Sequence, residues 1–459
     1  MLSRWLQRIR RNPIIVTFLV IIIFGNAFFM VQMSEQRERE DEQLAQLIAQ
    51  ARADRESGGD RNNIIAKMVQ AFEKADESEL QKNLTLKMKK LKQENGARRN
   101  KYVAAWKLAD ESISAHGLYG VDEDTEVILH ALHLAPIVKV DVFGDEASYS
   151  TGTSHKWLLT LDGGQLAVFK LMWETKGEQK PNGSCNSGFE MPSSEIAAFQ
   201  LHRLFGLYNT PYVSGRKVAI GTEILPVATD AVKRQIRQVG ENEYCITGKC
   251  FQCKLQKEIC LPGGRIEGAV IYWIPKPLKL HTLPPMYHPF ATTNMKDWKM
   301  YNLNENAYCL DIPKRFPFYN ELKKYLDIFD FALLDYVMHH FDSKHYTIDG
   351  GESAVPGLTI RLDFGRAFCY YDDDRDDILL APLRQCCTLR RSTWGRMMTL
   401  QNGLLSKELA RYMRWDPLNP VLGQKYYTAL NRRMRKVAVV LHDCAQAKGG
   451  IDNVLVNDY

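Results

Sequence analysis

Apolar and polar positions divide the chain into three unlike stretches. Ile14 to Val31 is almost wholly apolar, broken by Thr17, Gly25 and Asn26. At about 1.5 Å of rise per residue, a helix over this run just crosses a bilayer. Arg4, Arg8, Arg10 and Arg11 precede it and the acidic SEQREREDE follows, which points the N-terminus to the cytosol and the remainder to a lumen. No small-x-small cleavage site follows the run, so the pattern favours an uncleaved anchor over a removed signal peptide. The expected boundaries are a cytosolic tail at 1–12, a transmembrane signal anchor at 13–32 and a lumenal stem at 33–101. The stem is charged and poor in aromatics. Leu44, Leu47 and Ile48 make one short apolar stripe. Gly58-Gly59-Asp60 ends it, and Ile65, Met68, Val69 and Phe72 make a second. Too few heptads are present to define a coiled coil.

Aromatics return near Tyr102 and Trp106, and a folded domain is expected over 102–459. Within it the period changes from place to place. Lys156-Trp-Leu-Leu-Thr-Leu, Asp162-Gly-Gly and Gln165-Leu-Ala-Val-Phe-Lys170 read as strand, tight turn and strand. After a loop with Pro181, Gly183 and Gly188, a helix begins at Pro192-Ser193-Ser194-Glu195, with Ile196, Phe199 and Leu204 on its apolar face. Ile328, Phe331, Leu334, Val337 and Met338 repeat at helical spacing, with Asp335 the polar exception. A polar loop with Asp342, a Gly-rich turn and a β-branched strand ending at Asp363-Phe364-Gly365 follow. From Leu404 on, LLSKELARYMRW and YYTALNRRMRKVAVVLHDC read as helices separated by Pro417 and Pro420.

Composition adds constraints. The chain has 459 residues, 45% hydrophobic and 25% charged, enough for a sizeable core. A net charge of +6 with no basic stripe interleaved with aromatics argues against nucleic-acid binding. The ten cysteines include the tight group Cys245, Cys250, Cys253 and Cys260. Cys-x-x-Cys also suits zinc, but the pair is not repeated and a lumenal compartment favours disulfides. Cys386 and Cys387 are adjacent and must reach different partners, for which Cys309 and Cys444 are the natural candidates. In a lumen, Asn83-Leu-Thr and Asn182-Gly-Ser are glycosylation sequons.

A strand lysine (Lys170), a helix glutamate (Glu195), a loop aspartate (Asp342) and a strand-end aspartate (Asp363) occur in the order phosphoryl transfer uses. The lysine and glutamate orient phosphates, one aspartate serves the acceptor hydroxyl and the other holds a divalent metal. Taken singly, each is as readily a surface ion pair or a turn cap.

The whole ordered set is more specific. Lys170, Glu190, SSEIAAFQLHRLFG, the four-cysteine group, LDIFDFALLDYVM, DSKHY, LDFGRAF and LAPLRQCCTLRRSTW together resemble the atypical kinases of the secretory pathway. That family contains the Golgi casein kinase and the glycosaminoglycan xylosylkinase. TEILPVAT, YWIP and STWGRM followed by Asn402-Gly403 are more similar to the xylosylkinase branch. The resemblance implies an α+β fold: a two-lobed, kinase-like domain with a β-rich N-lobe and a helical C-lobe behind the anchor and stem. It implies ATP and Mn2+ (or Mg2+), bound through Lys170, Glu195 and Asp363 for the nucleotide and through Glu190 and Asp363 for the metal. Asp342 is the implied catalytic base. The implied disulfides are Cys245–Cys260, Cys250–Cys253, Cys309–Cys386 and Cys387–Cys444, leaving Cys185 and Cys369 over. The implied acceptor is the 2-hydroxyl of xylose in the proteoglycan linkage glycan, with a Golgi-membrane, type II location and a homo- or hetero-dimer with a related kinase. Serine phosphorylation of secreted proteins, or non-catalytic activation of a related kinase, are the alternatives. The family's Asp-Arg-His-His-Tyr-Glu loop is here Asp342-Ser343-Lys344-His345-Tyr346-Thr347, and His202 stands where relatives usually have Asp. An aromatic-rich insertion with His281, Tyr287, His288 and Trp298 suits stacking on sugar rings and equally suits core packing.

Overall fold

A computed structural model describes residues 102–457, apart from 121–123, 145–153, 173–189, 249, 251–252, 254–257, 282, 284–304, 350–356, 369 and 375–378. The tail, anchor and stem expected from the sequence, both sequons, Cys185, Cys369 and most of the aromatic insertion lie outside the described residues. Among the described residues, no helix is long and apolar enough to cross a membrane.

Two helices, α1 (Val103–Glu111) and α2 (Asp124–Leu134), lead into β1 (Ile137–Val142) and the hairpin β2 (Lys156–Leu161) and β3 (Leu166–Leu171). Side chains of β2 alternate between half-buried and buried, as the period-two pattern requires. The hairpin turns at Gly163 and Gly164, both with φ near +90°, which the missing side chain permits. A Cβ at Gly163 would meet the Trp106 ring at 2.8 Å, and the Trp106 indole N–H donates to the Asp162 carbonyl at 2.8 Å. The turn therefore seats α1 against the sheet.

Helix α3 (Pro192–Phe205) starts with proline at its first turn and ends at Gly206, whose φ of 66° gives the left-handed C-terminal turn. All but one of its residues are buried, so it is the central helix of the molecule rather than a surface one. Beyond it come β4 (Val213–Ala219), the one-turn α4 (Asp230–Lys233) and a small antiparallel sheet of β5 (Ile236–Gly240), β6 (Glu243–Ile246) and β7 (Ile259–Leu261). Strand β8 (Arg265–Tyr272) then returns to the main sheet, whose order is β1-β2-β3-β8-β4, antiparallel throughout. This is the expected β-rich N-lobe.

The C-lobe contains β9 (Leu278–His281), α5 (Glu305–Arg315), α6 (Leu322–Val337), β10 (His345–Ile348) and β11 (Ile360–Arg361). It continues with α7 (Ala381–Cys386), β12 (Leu389–Arg390), α8 (Arg391–Thr399), α9 (Leu404–Tyr412), α10 (Gln424–Ala447) and β13 (Leu455–Val456). Strands β9, β10 and β11 form a small sheet with β10 in the middle. Within the polar loop expected after Asp342, the chain forms strand β10. The strand expected to end at Asp363 is also shorter than anticipated, because β11 stops at Arg361 and Asp363 takes a left-handed φ of 70°.

The sulfurs of the four-cysteine group are taken up by Cys245–Cys260, directly opposite on β6 and β7, and by Cys250–Cys253. Thiolate zinc ligands are thereby removed from that group. Cys309–Cys386 ties α5 to α7, and Cys387–Cys444 ties the residue after α7 to α10. The adjacent cysteines thus lock two different helices to one point of the C-lobe.

Candidate active site

Strand β3 brings Lys170 to the inner face of the main sheet, and α3 runs directly across it. The Lys170 ammonium donates to Glu195 Oε1 at 2.6 Å, Asp363 Oδ1 at 2.6 Å and Glu190 Oε2 at 3.1 Å. Three carboxylates from 20, 25 and 193 positions away in sequence therefore meet on one cation. Burial opposes a charged lysine here, but Asp363, Glu190 and Glu195 together hold Lys170 well above the ordinary lysine value. Asp363 shows the reverse. Burial would raise it, and Lys170, Lys344 and Lys156 hold it well below the usual carboxylate range.

The segment after Asp363 is fastened to the start of α3. The Phe364 amide donates to Glu195 Oε2 at 3.0 Å, the Met191 amide to the Gly365 carbonyl at 2.6 Å, and the Ser194 hydroxyl to the Ala367 carbonyl at 2.6 Å. Glycine at 365 leaves room for Glu190, because a Cβ there would lie 2.8 Å from the Glu190 side chain. Glu190 accepts from Ser154 at 2.6 Å as well. At its far end the Phe368 amide donates to the Met338 carbonyl at 2.7 Å, joining this segment to the end of α6. The loop that carries Asp342 starts there.

Asp342 is linked to Asp363 through Lys344. The Lys344 ammonium lies 2.6 Å from Asp363 Oδ2 and 3.3 Å from Asp342 Oδ2, and Arg366 approaches Asp342 at 3.4 Å. All five residues singled out from the sequence, Lys170, Glu190, Glu195, Asp342 and Asp363, therefore belong to one connected array. Of these, Glu190 and Glu195 are closed off, with side chains 3% and 2% exposed, whereas Asp363 is 32% and Asp342 27% exposed. The array opens on the Asp363–Asp342 side. Glu190 and Asp363 supply hard carboxylate oxygens, and the lysines around them answer the excess negative charge. That donor set suits a hard divalent cation such as Mn2+ or Mg2+.

Two participants escaped the sequence reading. Lys156 lies opposite Lys170 in the β2–β3 register. Burial, with the like charge of Lys170, depresses its pKa, while Glu190, Asp363 and Glu195 favour its charge. The hairpin register would have paired it with Lys170 once the Asp162-Gly-Gly turn was fixed. Ser154, two residues before Lys156, carries no sequence signal of its own. The insertion residue His281 instead stacks on Phe318, with centroids 3.8 Å apart, and bonds Thr347 at 2.8 Å.

Comparison with known proteins gives the arrangement a relationship. Residues 104–453 match the family profile described as Golgi casein kinase, C-terminal, Fam20. The glycosaminoglycan xylosylkinase of Homo sapiens is 34% identical, over 77% of this chain and 83% of its own length. The solved structure of hydra Fam20 with sugar aligns with a TM-score of 0.67 at 28% identity, covering 77% of this chain and 99% of that one. The Golgi casein kinase with Mn/ADP bound aligns at 0.66 and 27%, covering 85% and 92%.

Proposed function

Since the chain belongs to the Fam20 family of Golgi casein kinases, we propose that it transfers the γ-phosphate of ATP to the 2-hydroxyl of xylose in the glycosaminoglycan–protein linkage region. The observation that carries phosphoryl transfer is the convergence of Glu190, Glu195 and Asp363 on the Lys170 ammonium. The xylose acceptor is favoured by the likeness to the human xylosylkinase and by the TEILPVAT, YWIP and STWGRM segments.

Each residue has a part that its surroundings suit. Glu195, fixed by the Phe364 amide, holds Lys170 extended so that the ammonium faces the phosphates. Glu190 and Asp363 hold the divalent ion, which offsets phosphate charge when bound. Asp342, on a loop anchored to α6, accepts the acceptor hydroxyl's proton as its oxygen bonds the γ-phosphorus and the bond to the ADP oxygen breaks. The Golgi location, the type II anchor at 13–32, the stem at 33–101, glycosylation at Asn83 and Asn182, and pairing with a related kinase belong to the same proposal.

Phosphate transfer to a xylose–galactose linkage disaccharide and to a casein-like peptide, with wild type and Asp342→Ala, tests the reading. Disaccharide phosphorylation that disappears in Asp342→Ala is expected. Undiminished transfer by Asp342→Ala removes the assigned base, and transfer to the peptide alone replaces xylose with protein serine. Turnover of neither acceptor, with activation of a related kinase on mixing, would make the chain a non-catalytic partner.

A further inference from the structure

The Asp342 loop departs from its family's pattern at Lys344, and the structure places that side chain between the two exposed carboxylates of the site. We propose that Lys344 is a further catalytic residue, which carries positive charge from Asp363 to the transferring phosphoryl group while remaining tethered to Asp342. This rests on the phosphotransferase reading above.

The two oxygens of Asp363 are divided between two lysines: Oδ1 takes Lys170 and Oδ2 takes Lys344. A divalent ion held by Asp363 competes with one of them for carboxylate lone pairs. Lys170 is the poorer candidate to yield. Its side chain is 5% exposed and is gripped by Glu190 and Glu195 as well. Lys344 is 29% exposed, stands on a loop, and has only Asp342 as its second carboxylate partner in the described structure. On yielding, its ammonium keeps the contact to Asp342, the residue assigned to the acceptor hydroxyl. A flexible lysine stem on that tether spans the gap in which the phosphoryl group passes from nucleotide to acceptor, where negative charge on the equatorial oxygens requires a cation.

The bonding changes are those of the parent reaction, so Lys344 neither gains nor loses a proton overall. Its ammonium donates hydrogen bonds to the phosphoryl oxygens and then to the product phosphate. The position is thus filled by a cation held on the same loop as the base, and Arg366 approaches the same Asp342 oxygen at 3.4 Å.

The test uses the full chain as wild type, Lys344→Met and Lys344→Arg, with two readouts. Isothermal titration with Mn2+ alone should show Lys344→Met binding several-fold tighter than wild type, because no ammonium competes for Asp363, and Lys344→Arg close to wild type. Steady-state phosphate transfer should show kcat falling about 10²- to 10³-fold in Lys344→Met, the scale for losing one preorganised charge donor. KM for ATP should move less than about fivefold, and Lys344→Arg should recover to within about tenfold of wild type. Unchanged Mn2+ affinity in Lys344→Met overturns the competition with metal, and a kcat within about threefold of wild type overturns the catalytic role. A folded Lys344→Arg as inactive as Lys344→Met also overturns it, because charge is then not what matters. If Lys344→Met does not fold, Lys344→Gln takes its place in both measurements. Failure of the parent reading looks different: wild type itself would neither bind Mn2+ with ADP nor transfer phosphate.

Discussion

Two buried cations near Asp363-Phe364-Gly365, Lys170 and Arg361, are treated differently. Lys170 faces three carboxylates, one of which, Asp363, is 32% exposed. Arg361, fully buried, faces one. It donates to Asp335 at 2.6 Å, Asp335 also holds His340 at 3.1 Å, and the guanidinium lies over the Phe331 and Phe364 rings at 4.7 and 5.4 Å. Burial raises Asp335, but Arg361 and His340 outweigh it and keep the carboxylate well below its usual range. The balanced pair, sealed by rings, holds the end of α6 against β11. The crowded one leaves a carboxylate of Asp363 facing solvent, where a divalent cation can reach it. Burial and charge pairing alone would not separate them; the surplus of acid and the open edge do.

The sharpest way to break this contrast is to remove one carboxylate from each side. Asp363→Asn keeps the side-chain shape and removes the charge proposed to hold metal and nucleotide. Phosphate transfer should fall by about 10³-fold or more, the scale of losing one part of a phosphoryl-transfer clamp. Lys170 keeps Glu190 and Glu195, so the urea midpoint should stay near wild type. A midpoint that collapses with Asp363→Asn would show that the open cluster holds the fold after all.

The matched change on the sealed side is Asp335→Ala, which leaves the Arg361 guanidinium buried without its carboxylate. Breaking such a pair from one end costs about 3–5 kcal/mol. Urea unfolding should lose that much, while the folded fraction still binds Mn2+ with ADP. A stability loss below about 1 kcal/mol would place the pair among those with little net worth.

How much of this contrast the sequence carries differs between its two halves. Lys170, Glu195 and Asp363 were legible because each sits at the end or start of a strongly patterned element: the period-two hairpin, the Pro-Ser-Ser-Glu helix start and the Asp-Phe-Gly turn. Their order matched one known chemistry. The four pairings implied by the family resemblance are also the four disulfides among the described residues. The sealed pair was half legible. Asp335 stood out as a polar residue on an apolar helix face, but nothing local names Arg361 as its partner. Asp327 and Asp330 behave the same way, since both reach Arg390, which is about 60 positions on. Strand β10 was missed because His345-Tyr-Thr-Ile is four residues long, too short for a period to register, and it is defined by pairing to β9 and β11. Long-range charge pairing and short sheet edges are tertiary facts. Periodicity reports only local ones.

The smallest expected effect separates the two sides by pH. His202 packs on Phe364 and Phe331 and shares a hydrogen bond with Asn209 at 2.7 Å. Burial, with the Arg361 charge beside it, pushes its pKa from 6.5 down to about 3. The Asn209 bond and Asp335 oppose that shift, and His340 adds to it. Between these values the unfolded chain binds a proton that the folded one refuses. The stabilisation is therefore complete above pH 6.5 and is lost as pH falls toward 3. Asp330 has the opposite sign, since burial, against the pull of Arg390, raises it to about 6, and its contribution fades as pH rises from 3.8 through 6. Wild type alone would show these summed with other shifted groups, among them His155 and His133, which burial lowers to about 4. Comparing wild type with His202→Gln isolates the histidine, and the wild-type slope should be steeper by up to about 1.4 kcal/mol per pH unit below pH 6.5. Urea unfolding of both chains at pH 7, 6 and 5 measures the difference. Asp363, held ionised by its lysines, should keep its charge over that whole range, so acid should weaken the packing around His202 and Arg361 before the Lys170 cluster. Parallel slopes for the two chains would mean that His202 titrates as freely when folded as when unfolded, and the sealed side would not be sealed.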